Sequence, residues 1–238
     1  MRFPRKLQKG ILIKRYKRFL ADVELENGDL ITAHCANPGA MLGLKEPGQT
    51  VWLSPATNPK RKLKFSWELV ELKDDKTLVG INTSHPNTLI EEAILNGTIT
   101  QLQGYQTLKR EVKYGQNSRI DILLSDHKET PEKLCYAEIK NVHLLRKPGL
   151  AEFPDSVTSR GAKHLNELSN MVKEGYRAVM IYCIQRTDAK TFALAQDIDP
   201  TYATAFAKAT ENGVEAYAYS CQITPTEITV TKELPIKC

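Results

Sequence analysis

The stretch from Ser118 to Lys140 decides how this chain is read. It joins two short apolar segments, Ser118-Arg-Ile-Asp121-Ile-Leu-Leu124 and Cys135-Tyr-Ala-Glu138-Ile-Lys140, through a polar loop. Each segment carries an acid where a strand would ordinarily carry Val or Ile. Strand periodicity puts Asp121 on the face opposite Ile120 and Ile122, and puts Glu138 and Lys140 together on one face with Ile139 on the other. If the segments pair as a hairpin, Asp121, Glu138 and Lys140 converge. Two carboxylates and an ammonium on a sheet built for burial are costly unless something compensates them. A divalent metal would do so.

The rest of the chain is that of an ordinary globular protein. Its 238 residues, 41% hydrophobic and 26% charged, suit one large domain or two small ones. No apolar run approaches the ~18 residues of a membrane span. The first residues, Met-Arg-Phe-Pro-Arg-Lys-Leu-Gln-Lys, lack the apolar core of a signal peptide. The cysteines at 35, 135, 183, 221 and 238 are odd in number and form no CxxC pair, so a zinc site is not expected and a reducing cytoplasm is. The net charge of +5 is unevenly placed. Residues 1–80 hold 15 Lys/Arg against 9 Asp/Glu, so the whole excess lies in the first third. A basic patch on one module fits a polyanion partner, and equally a solvated face.

Residues 1–81 read as about five short strands with turns between them. Lys9 to Phe19 is a strand and its turn, and Phe19 to Glu26 returns to a hairpin at Asn27-Gly28. Leu30–Cys35, Gln49–Ser54, Phe65–Leu72 and Thr77–Ile81 follow. Five short strands in so short a span predict an OB-like β-barrel. Such barrels bind single strands through basic grooves and stacked aromatics. The candidates are Lys14, Arg15, Lys17, Arg18, Lys60, Arg61, Lys62 and Lys64, with Tyr16 and Trp67 for stacking; Trp52 and Trp67 equally suit the barrel core.

The boundary falls near residue 82, and residues 82–238 read as a second domain. Thr88-Leu-Ile-Glu91 resembles a capping box opening a helix from Leu89 to Leu95, closed by Asn96-Gly97. That reading occupies Glu91 and leaves Glu92 as the helix's functional acid. Leu108–Tyr114 is a strand turning at Gly115–Asn117 into the Asp121 and Glu138 strands. A basic loop spans 144–156, and a helix runs from Ser159 to Glu174 with Arg160, Lys163 and His164 in its first turns, an end suited to phosphate. Tyr176–Ile184 is a strand buried on both faces. Asp199-Pro200 caps a helix to Glu211, and two strands, 214–223 and 228–230, close the chain. A mixed sheet with helices on both faces follows.

A helix with a glutamate, then three strands with Asp on the second and Glu-x-Lys on the third, resembles the PD-(D/E)XK restriction-endonuclease-like fold. The spacing Asp-x16-Glu-x-Lys is short as a pattern; the element order around it gives it weight. The resemblance implies that Asp121 and Glu138 hold Mg2+ (or Mn2+), with the Ile139 carbonyl as a further ligand. Lys140 would position or activate the attacking water, and Glu92 would be the first-helix acid. Asn37-Pro-Gly-Ala-Met41, Ser118-Arg-Ile-Asp121, Glu138-Ile-Lys-Asn-Val142 and the run from Phe153 to Leu165 together resemble the sugar fermentation stimulation protein A family. That resemblance spans both modules. It implies DNA binding with little sequence preference and a link to maltose and sugar use. Phosphate contacts are expected from Arg119, Arg160, Lys163 and His164 and from the basic residues of the barrel. The alternatives are a catalytically silent regulator or structural DNA binder, and a nuclease acting on RNA or junctions. No helix-turn-helix signal supports base readout in the major groove.

Overall fold

The computed structural model describes residues 1–115 and 118–237. The expected turn at Gly115–Asn117 and the fifth cysteine, Cys238, therefore lie partly or wholly outside the described residues.

Alternation of apolar and polar side chains builds the first module. Its strands are β1 (Gln8–Tyr16), β2 (Leu20–Leu25), β3 (Leu30–Cys35), β4 (Thr50–Pro55), β5 (Phe65–Glu71) and β6 (Leu78–Gly80). They pair antiparallel in the order β3-β2-β1-β4-β5-β6, and a short parallel pairing of β3 with β5 closes the barrel. Leu12, Val23, Ala33, Val51, Leu53 and Trp67 fill it. Trp67 is fully buried and donates its indole N–H to the Leu69 carbonyl, so it is core and not a stacking platform. The β1–β2 turn holds Lys17 and Arg18 at φ 48° and 62°. Both central residues of such a turn need positive φ, which Asn-Gly would adopt at less cost.

The second module contains α1 (Pro86–Leu95), β7 (Tyr105–Tyr114), β8 (Ser118–His127), β9 (Cys135–Val142), β10 (Leu144–Lys147), β11 (Leu150–Phe153), α2 (Ser159–Lys173), β12 (Arg177–Ile184), β13 (Thr191–Leu194), α3 (Pro200–Glu211), β14 (Glu215–Ile223), β15 (Ile228–Leu234) and β16 (Ile236–Lys237). The main sheet runs β15-β14-β12-β9-β8-β7, with β12 parallel to both β9 and β14 and the other pairs antiparallel. α1 packs its Leu89, Ile90 and Ala93 on one face. α2 and α3 pack Leu165, Leu168, Tyr202 and Phe206 on the other.

Three expectations change. α1 opens at Pro86 with His85 at its N-cap, two residues before the supposed capping box. Proline at the first helical position has its φ already set and no N–H to satisfy. Thr88 and Glu91 instead receive hydrogen bonds from Arg110, both at 3.2 Å. The supposed loop 144–156 contains the β10–β11 hairpin, part of a small second sheet ordered β10-β11-β13-β16. Finally, the first three residues reach the second module: Phe3 N–H donates to the Thr226 carbonyl, and Ile228 N–H donates to that of Met1.

Two close approaches weld the modules. Gly80 N–H donates to the Gln185 carbonyl, and a Cβ on Gly80 would lie 2.4 Å from Gln185 Oε1. Asp155 accepts from the Met41 backbone N–H at 2.9 Å and contacts His143 Nε2 at 3.1 Å, while a Cβ on Gly39 would meet its carboxylate at 2.5 Å. Among the described residues no helix is long and apolar enough to cross a membrane.

Candidate metal centre

β8 and β9 pair through Ile122–Ala137, Leu123–Tyr136 and Leu124–Cys135. One residue further the Asp121 carboxylate intervenes. Its Oδ2 accepts the Ile139 backbone N–H at 2.7 Å, and its Oδ1 accepts from the Asn87 side-chain amide at 2.9 Å. The acid thus takes over a main-chain donor at the point where the strand pairing ends.

On β9, period 2 brings Lys140 Nζ to 2.7 Å from Glu138 Oε1. Glu138 is only 2% exposed. The same oxygen makes a short contact with His164 Nδ1 of α2. Arg160 Nε lies 3.2 Å from His164 Nε2. A guanidinium N–H can only donate, so Nε2 accepts and Nδ1 carries the proton that it gives to Glu138. Oε1 therefore takes two hydrogen bonds. Oε2 is buried with no partner among the described residues, as is the Tyr114 hydroxyl.

The two acids are driven apart. Burial raises the Asp121 pKa, and the Glu138 charge raises it further, against the Ile139 and Asn87 hydrogen bonds. Burial also raises that of Glu138, but the Lys140 charge and the His164 hydrogen bond outweigh it and leave the carboxyl below its ordinary value. Burial first, and then the charges of Glu138, Glu167 and Asp121, push the Tyr114 phenol far up. The Glu138 charge is thus felt by both Asp121 and Tyr114, and Lys140 is the ammonium beside it.

These donors fit a hard divalent cation. Asp121 and Glu138 offer carboxylate oxygens, and the orphaned Glu138 Oε2 is a buried acceptor awaiting a positive partner. Among the described residues no three His, Cys, Asp or Glu side chains cluster closely enough to form a cage. Mg2+ does not require one: it takes one or two carboxylates and keeps several waters.

Residues 13–81 match the SfsA N-terminal OB domain, and residues 84–227 match the sugar fermentation stimulation protein RE domain. The chain belongs to the sugar fermentation stimulation protein family. Curated homologues from Maricaulis maris and Rhodospirillum centenum are 52% and 55% identical, the first covering 100% of this chain and 99% of the relative, the second 98% of each. A solved structure, that of Pyrococcus furiosus SfsA in complex with Ca2+, superposes with a TM-score of 0.88 over 100% of this chain and 98% of that one, at 24% identity. At that identity the likeness shows a shared fold.

Within this family member the predicted site residues part company. Asp121, Glu138, Ile139 and Lys140 come together. Glu92 does not join them: its half-exposed carboxylate lies 2.5 Å from the Met1 amino group. Asn87 and Glu92 are five residues apart on a helix of 3.6 per turn, so they occupy different faces, and Asn87 has the face toward Asp121. His164 is not a surface phosphate contact but is buried against Glu138.

In the barrel, Arg15 is spent on the Asn37 and Gly39 carbonyls at 2.7 and 3.0 Å. Lys14 pairs with Asp22 at 3.5 Å and lies over the Tyr16 ring, whose hydroxyl also reaches Asp22. Lys64 bonds the Pro59 carbonyl. Lys17, Arg18, Lys60, Lys62, Arg119, Arg160 and Lys163 are exposed and Arg61 is half-buried. Asn87, Tyr114 and the role of His164 were missed by sequence reasoning. Only the placement of Asn87 at a helix start, beside a proline, hinted at any of them.

Proposed function

We propose that this protein binds nucleic acid, DNA in the first instance, and hydrolyses phosphodiesters at the Asp121/Glu138/Lys140 centre with a divalent metal, Mg2+ or Mn2+. The observation that carries the reading is the buried Glu138 carboxylate, one oxygen held by Lys140 and His164 and the other without a partner, beside a second carboxylate whose pKa it raises. Asp121, Glu138 and the Ile139 carbonyl would hold the cation, and the Ca2+ complex of the Pyrococcus furiosus protein supports a divalent site in this fold. When bound, such an ion neutralises charge building on the phosphodiester and acidifies the attacking water.

The chain's own groups do the rest. Lys140 Nζ, held at Glu138, donates to the attacking water and steadies it. The His164 imidazole, oriented by Arg160, fixes the Glu138 carboxylate. Arg119, Arg160 and Lys163, with the exposed cations of the barrel, contact phosphates and set position without reading sequence. A link to sugar (maltose) use would then run through the genes or transcripts that the protein binds or cuts.

A nicking assay on plasmid, single-stranded and branched DNA, and on RNA, with Mn2+ tests this. Cleavage by the wild type should fall at least ~100-fold in Lys140→Ala, given that a positioned acid–base group contributes ~100- to 10,000-fold, and should also be lost in Asp121→Asn, which removes a carboxylate that would hold the cation. Cleavage that survives both substitutions means contamination. No cleavage of any substrate, with binding intact in Glu138→Ala, means a silent DNA-binding regulator.

A further inference from the structure

Between the barrel and the mixed sheet lies a cleft of about 790 Å3. Arg15 and Arg18 of the β1–β2 hairpin, the Asn37–Ala40 loop and Lys45 line its barrel side. Asn141, His143 and the loop from Asp155 to Thr158 line the other, and Thr83 joins them. The side chains of the metal centre do not line the cleft, which adjoins the centre along the chain. Asn141 directly follows Lys140 on β9, and Thr83 stands four residues before Asn87, whose amide holds Asp121.

The lining is cationic where it is available. Its one carboxylate, Asp155, is taken by Met41 N–H and His143. Among the described residues neither Arg18 nor Lys45 has an ion-pair partner, and the two come from separate loops of the barrel wall. Cations on separate loops suit a backbone followed phosphate by phosphate, whereas a small anion is held by donors converging on one point. Barrels of the OB type take single strands in basic grooves of this kind, where cations track the backbone and the bases need no complementary strand.

We infer that this cleft seats the strand next to the reacting phosphate and that the strand is single, so that the centre receives single-stranded ends, flaps or bubbles and not intact duplex. This rests on the nuclease-type reading of the Asp121/Glu138/Lys140 centre. The barrel then acts as one wall of the substrate channel.

The test uses the full chain in EDTA, so that binding is read without cutting. Fluorescence anisotropy compares a labelled oligothymidylate with a duplex of equal length. Arg18→Glu/Lys45→Glu reverses the cleft, and Lys60→Glu/Lys62→Glu reverses the charge of a different barrel loop. Reversing the cleft should lower single-strand affinity at least ~10-fold and duplex affinity less than ~3-fold. The control pair should lower both alike, as sequence-independent phosphate contacts do. Arg18→Ala, on an exposed turn, should show the same selectivity with smaller amplitude. Equal losses on both probes from the cleft variant, or no loss on either, overturn the inference. So does displacement of the strand by thymidine monophosphate at equal nucleotide concentration, which would make the cleft a small-anion site. A wild type that nicks DNA but ignores cleft reversal overturns the cleft alone. One that neither binds nor nicks overturns the nuclease-type reading with it.

Discussion

Glu138 is a carboxylate with unequal oxygens, and the inequality is set one residue at a time. Oε1 is committed to Lys140 by strand parity and to His164 by the packing of α2 on the sheet, which leaves Oε2 as the available ligand atom. Removing the imidazole should loosen that choice without touching a ligand. We expect His164→Ala to weaken Mn2+ binding by ~10- to 100-fold, the usual effect of losing a group that orients a ligand; isothermal calorimetry measures it, and an unchanged affinity would show that α2 leaves the carboxylate alone. Asp121, Glu138 and Lys140 were legible beforehand because parity along a strand is local. Glu92 was not: which face of α1 meets the sheet is decided by long-range packing, and the helix starts at Pro86, ahead of the Thr88-Leu-Ile-Glu91 pattern.

At the scale of elements, the join between β5 and α1 turns on another buried acid. Glu68 of β5 accepts from Ser54 Oγ at 2.5 Å and from Asn82 Nδ2 at 2.7 Å, and contacts His85 Nε2 at 2.7 Å, at the N-cap of α1. Burial pushes its carboxyl up, but the bonds from His85, Ser54 and Asn82 prevail and hold it below its ordinary value of 4.5. A folded pKa below the unfolded one gives stability that is complete above about pH 4.5 and drains away as the pH falls through the folded value. Glu68→Gln should therefore cost about 2 kcal/mol at pH 7, the scale of hydrogen bonds to a charged group. Urea midpoints of the two proteins should then converge in acid. A gap that persists below both pKa values would show that ionisation of Glu68 is not what holds the join. The helices α2 and α3 were readable from stripes and caps. β10 and β11 were not, because four-residue strands around Pro148-Gly149 carry too few alternations to stand out from a basic loop.

For the whole molecule, a cation at the centre should stabilise the fold by mass action, since the unfolded chain does not hold Asp121 and Glu138 together. At a Mn2+ concentration 100 times Kd the gain is about 2.7 kcal/mol. A rise in Tm on adding Mn2+, lost in Asp121→Asn, is the expected result of a thermal melt. A rise that survives the substitution would put the ion elsewhere. The bipartite plan was visible in sequence from the change of rhythm near residue 82. The seam was not, because Gly80–Gln185 and Asp155–Met41 join residues more than a hundred positions apart.

That seam bears on how such a protein can change over time. Two recognisable halves suggest parts that could be traded between relatives, as cassettes are. Yet Gly80 leaves no room for a Cβ against Gln185, nor Gly39 against Asp155. A half borrowed from a relative must arrive with the matching glycine or the matching side chain. The unit of inheritance is the fitted pair of walls.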